Sequence, residues 1–166
     1  MTRRLLPALL LLTLALPAAA VDLTKHTVGI GASADLAQVG TPAQLSVRFP
    51  LKPRLIADLL VGFQAAPGVT FAPGLQVDWV LLAEEHMNLL ASVAVGVDVR
   101  SSTGLEAFVY RVGPAVELFA SDWPNLGFLL GFGFSGALVP GTNTAAQPGV
   151  TTSLSPLGLA GLHYYF

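Results

Sequence analysis

Few residues in this chain are of a type and spacing that could do chemistry. There are three histidines, His26, His86 and His163. Nucleophilic hydrolysis needs a histidine within hydrogen-bond reach of a serine and oriented by a carboxylate. His26 opens an alternating segment and His86 lies in a turn-rich connection. His163 sits beside Tyr165 near the end of the chain, and the two read as a satisfied polar pair. No histidine is spaced with acidic residues as metal ligands are. The absence of cysteine removes thiolate metal sites, disulfides and a lipid-anchored cysteine. The stretch GFGFSG carries a literal G-x-G-x-x-G at Gly131, Gly133 and Gly136. A dinucleotide loop of that form ends a strand at the first glycine and starts a helix at the last. Here Leu126, Phe128, Leu130, Phe132 and Phe134 alternate with Gly127, Leu129, Gly131, Gly133 and Ser135, so a strand runs through the motif. The sequence therefore predicts no catalytic residue, no metal site and no cofactor.

What remains is a set of charged residues, Arg48, Asp58, Asp78, Asp98, Arg111 and Glu117, and the elements that must position them. Of the 166 residues 53% are hydrophobic and only 11% charged. Ordinary globular domains carry about 25% charged residues, so the outside of this protein is not an ordinary wet surface. The few Lys and Arg leave no basic patch for nucleic acid. The first residues, MTRRLLPALLLLTLALPAAA, have the form of a secretory signal peptide: Arg3 and Arg4, an apolar run from Leu5 to Leu16, then the small-residue site Ala18-Ala19-Ala20. The expected domains are a signal peptide over 1–20 and one further domain over 21–166. Cleavage removes Arg3 and Arg4 and leaves the mature chain net acidic.

Eight segments after residue 20 alternate with period two, each apolar on one parity, and no charge falls on that parity in any of them. A soluble sandwich or barrel turns its apolar set inward and coats its outside with charge. Here the second parity is Gly, Ser, Ala and Gln with a few charges, too thin to coat a surface in water but suited to lining a narrow lumen. The apolar parity is therefore expected to face lipid. Spanning lipid requires every backbone polar group to be paired within the protein, which strands achieve only by closing into a barrel. Segments of about ten alternating residues match that requirement. The predicted fold is all-β, an eight-stranded antiparallel up-and-down transmembrane β-barrel. Its second, fourth and sixth connections are tight, with the others at the opposite end. Aromatic residues gather at both ends of the spans, with Phe49, Trp123, Phe128, Tyr164 and Phe166 at the tight-turn end and Phe63, Phe71, Phe108 and Tyr110 at the loop end.

An eight-strand barrel has an interior just wide enough for side chains to fill. The lumen parity of the first and seventh segments is rich in glycine (Gly29, Gly31; Gly127, Gly131, Gly133), and the space left there is expected to receive the long polar side chains from the others. Asp98 and Arg111 are expected to neutralise each other in an upper tier, and Arg100 to meet Glu106. Arg48 is expected to centre a lower tier with Asp58, Asp78 and Glu117. Such a cluster reads as a hydrogen-bonded plug, with an ion path as the other reading.

The chain ends GLAGLHYYF, with Leu162, Tyr164 and Phe166 at alternate positions. This resembles the C-terminal assembly signal of bacterial outer-membrane β-barrels, and with the other features the mature chain is similar to the small eight-stranded outer-membrane proteins of the opacity and OmpA-barrel kind. The resemblance implies a location in the bacterial outer membrane with both termini periplasmic, outer-membrane lipid as surroundings, and barrel-assembly machinery and periplasmic chaperones as partners during biogenesis. It departs from adhesive members in its short loops. The expected role is that of a monomeric structural or envelope-interaction barrel with a plugged lumen. The alternatives are a narrow pore or conduit for small or apolar solutes and, third, a lipid-modifying enzyme.

Overall fold

A computed structural model describes residues 28–35, 43–65, 69–100, 104–139 and 149–166, side chains at 106 and 150–157 excepted. Residues 1–20, where the sequence predicts a signal peptide, and the connection at 140–148 lie outside the described residues, as does the Glu106 side chain. Eight strands follow in chain order: β1 (Gly29–Asp35), β2 (Gln44–Lys52), β3 (Leu55–Gln64), β4 (Thr70–Glu84), β5 (Met87–Arg100), β6 (Gly104–Ala120), β7 (Trp123–Val139) and β8 (Gly149–Tyr165). Each pairs antiparallel with the next, and β1 closes on β8 from Gly29 opposite Tyr165 to Asp35 opposite Leu159. The result is a closed barrel with no helix among the described residues.

Strand β3 coincides with the alternating run LIADLLVGFQ, whereas β4, β6, β7 and β8 extend past the alternating runs FAPGLQVDWVL, FVYRVGPAVEL, GFLLGFGFSG and SLSPLGLAGLHYYF. The extra residues lie at strand ends where the alternation fades, and cross-strand pairing carries them. The connections of β2 to β3, β4 to β5 and β6 to β7 are two-residue turns at Pro53–Arg54, Glu85–His86 and Ser121–Asp122. Two of these turns also bond to the next strand, through Val80 N–H to Arg54 O at 2.9 Å and Phe119 N–H to His86 O at 2.8 Å.

The barrel is inside out relative to a soluble one. Along β3, Leu59, Val61 and Phe63 are exposed while Asp58 and Leu60 are buried, and along β4, Leu75, Val77 and Trp79 are exposed around buried Gln76 and Asp78. The same alternation puts Val93, Val95, Val112, Phe128, Phe134, Leu162 and Tyr164 outside. Strand β7 runs through the glycine motif, as the period-two pattern requires. Its pairing with β8 shifts register between Gly131 and Gly133, where β8 carries two extra residues.

Candidate functional site in the barrel lumen

Arg48 stands in β2 opposite Gly29 of β1 and Asp58 of β3, and its side chain is fully buried. Its guanidinium meets three carboxylates from three strands. Nη2 donates to Asp78 Oδ2 of β4, Nη1 donates to Glu117 Oε1 of β6 at 3.0 Å, and Nε lies 3.4 Å from Asp58 Oδ2 in an ion pair without hydrogen-bond geometry. All three acids are buried. Buried charges of this kind are tolerable only when paired and hydrogen-bonded, and neutral donors complete the set. Gln76 Nε2 donates to both oxygens of Asp78 at 3.0 Å. Tyr165 O–H donates to Glu117 Oε1 at 2.5 Å and Asn88 Nδ2 to Glu117 Oε2 at 3.5 Å.

The glycines make room for this cluster. A Cβ on Gly29 would lie 3.1 Å from the Tyr165 ring and 3.3 Å from Arg48 Cβ, and a Cβ on Gly127 would lie 2.9 Å from Glu117 Oε1 and 3.0 Å from the Phe119 ring. The thin wall is thus filled by Arg48, Glu117, Phe119 and Tyr165. Gly133 differs. Its φ of 136° is one that side-chain-bearing residues rarely adopt, and a Cβ there would strike Val112 O and lie 2.8 Å from Gly113 Cα. It is needed by backbone geometry at the register shift, not by lumen volume.

The upper tier departs from the expected pairing. The register sets Asp98 opposite Ala107 and Arg111 opposite Ala94, so the two are a full four residues apart along β6. Arg111 turns towards β4 and β1, donating from Nη2 to Gln76 Oε1 at 2.5 Å and lying 3.8 Å from Asp35 Oδ2. Gln76 therefore joins Arg111 to the Arg48 cluster. A small cavity of about 40 Å³ lies beside this link, lined among others by Asp35, Gln44, Leu60 and Arg111.

The partners of His163 also differ from the pairing read in the sequence. Tyr165 turns to Glu117, while His163 Nε2 lies 2.7 Å from Ser46 Oγ and Nδ1 lies 3.4 Å from Arg48 Nη1. A histidine beside a serine is the start of a nucleophilic dyad. Here the second nitrogen faces a guanidinium, which can only donate. Nδ1 is thereby the acceptor, and the ring proton sits on Nε2 and points at Ser46. That tautomer gives a donor to the serine and not a base for it, and both side chains are buried.

Ile56, Val80, Leu90, Ala115, Phe119, Leu129, Leu159 and Tyr165 form one buried apolar cluster that interleaves with the charges. Ile56, Val80 and Phe119 lie on the tight-turn side of Asp58, Asp78 and Glu117, whereas Ala115 lies on the loop side of Glu117 and Leu129 stands opposite it. Ile56 interrupts the polar parity of its segment, and that interruption is the sequence signal of this cluster. Ser46, Gln76, Asn88, His163 and Tyr165 are the cluster members that charge alone does not pick out. They share the lumen parity with the acids. Among the described residues no group of three or more His, Asp or Glu could hold a metal ion; Arg48 occupies the point on which the acids converge. No protein family, characterised protein or solved structure is found to match this chain.

Proposed function

We propose that the protein is an integral outer-membrane β-barrel whose lumen is plugged by polar side chains and whose role is structural or an interaction within the envelope. The observation that carries this reading is the inverted distribution of polarity. Charged and amide side chains are buried at the centre, while leucine, valine and aromatic side chains are exposed around the circumference. A soluble protein rarely exposes apolar patches beyond a few hundred Å². A continuous apolar belt around a closed barrel is stable where the surroundings are lipid. The terminal Leu162, Tyr164 and Phe166 all face outward, consistent with the resemblance to an assembly signal.

The plug follows from the same geometry. Three acids converge on one guanidinium, and a buried apolar cluster packs among them in the lumen. This arrangement supports a closed wall more than a conduit. The test is gel migration of the protein extracted from membranes, with and without heating. A closed barrel in the outer-membrane fraction runs faster unheated than heated. Equal migration, or recovery in the soluble fraction, would remove the reading.

A further inference from the structure

The outer surface at the tight-turn end carries a groove of about 490 Å³, lined by Asp122, Trp123, Pro124, Asn125, Leu126 and Tyr164. Its volume is in the range of sites that hold a drug-sized ligand, roughly 300–1,000 Å³. It lies where the turn at Ser121–Asp122 meets the start of β7 and the end of β8, with Leu126 opposite Tyr164. Trp123 is 67% exposed and Tyr164 46% exposed. Tyr164 is steadied by an edge contact with Phe166, the ring centroids 5.1 Å apart.

The lining is graded. At the turn it offers one carboxylate, Asp122, and an indole, and its described lining contains no Lys or Arg. Further along the wall it becomes wholly apolar, because the outward register continues from Leu126–Tyr164 to Phe128–Leu162 and Leu130–Ala160. A carboxylate beside exposed aromatic rings attracts an ammonium group through charge and through the ring faces. The apolar track below fits an acyl chain, and Ala160 leaves that track open.

Resting on the membrane reading above, we propose that this groove binds one phospholipid with a primary ammonium headgroup, of the phosphatidylethanolamine type, from the leaflet at the tight-turn end. A phosphatidylglycerol would place its net negative charge beside Asp122 with no cation in the lining to offset it. The groove thereby selects by headgroup, where the rest of the belt meets only acyl chains.

The test uses the full mature chain carrying Trp79→Phe, so that Trp123 is the sole tryptophan. The protein is floated in vesicles of equal phosphatidylethanolamine and phosphatidylglycerol, with bromine on the acyl chains of one lipid or the other. Quenching of Trp123 is expected to favour the ammonium lipid by about three- to tenfold in relative association, as one cation–π contact and one exposed ion pair together allow. Asp122→Asn should bring that ratio close to one while heat-dependent migration shows the barrel intact. Failure to float would overturn this inference and the membrane reading together. Flotation with a ratio of one, a ratio favouring phosphatidylglycerol, or a ratio that Asp122→Asn leaves unchanged would overturn the headgroup site alone.

Discussion

Arg48 is the residue whose loss should be felt most. Among the described residues it is the one guanidinium in contact with Asp58, Asp78 and Glu117, and it also faces Nδ1 of His163. Replacing it with alanine leaves three carboxylates with only Gln76, Asn88 and Tyr165 as donors. Removing one partner of a buried pair costs about 3–5 kcal/mol, and the loss for Arg48→Ala is expected at the upper end because three acids share the partner. Urea unfolding from lipid vesicles measures it. A combined variant that also replaces Asp58, Asp78 and Glu117 by Asn, Asn and Gln should recover part of the loss, since the uncompensated charges are then gone. A single Arg48→Ala as stable as the wild type would mean that the acids are held by something other than the guanidinium.

At the scale of the strand, glycine in β7 serves two ends that the alternation does not separate. Gly131 faces the lumen, and a Cβ there would lie 2.8 Å from Leu159 Cβ in the buried apolar cluster. Gly131→Leu should therefore destabilise the barrel by about 1–3 kcal/mol through overpacking. Leu130→Ile, on the outward parity, should be nearly silent in the same unfolding measurement. Gly133→Ala should also destabilise, although its added carbon is small, because the backbone at φ 136° resists any side chain. Equal behaviour of Gly131→Leu and Leu130→Ile would mean that the facing of β7 is reversed.

Strand number, tight-turn placement and facing were legible because period-two alternation survives wherever one face is uniformly apolar, as in Leu59, Val61 and Phe63. The lower tier was legible because Arg48, Asp58, Asp78 and Glu117 each break an otherwise small or neutral parity. Pairings across strands were not legible. Asp98 and Arg111 look level when strand lengths are counted, but the four-residue offset on β6 appears only once hydrogen-bond register is fixed. The contact of Ser46 with His163 joins residues 117 apart in sequence. No local pattern reports that distance, and neutral donors such as Gln76 and Asn88 give no signal stronger than polarity.

For the whole molecule, the proposed plug predicts no conduction. The buried charges and the apolar cluster of Ile56, Leu90, Phe119 and Leu159 are packed together inside the barrel. Purified protein in planar bilayers at neutral pH should show no stepwise current. Discrete cation-selective steps would instead indicate a wet path past Asp58, Asp78 and Glu117 and return the conduit alternative. On the proposed reading, the exposed apolar parity meets lipid. The chain has no cysteine, so Val93→Cys and Val95→Cys, outward positions 52% and 55% exposed, can each carry a single spin label in vesicle-reconstituted protein. Collision with oxygen, which concentrates in lipid, should exceed collision with a water-soluble nickel chelate at both positions. The reverse order, with the chelate reaching Val93 and Val95 more readily than oxygen, would contradict a lipid-facing barrel.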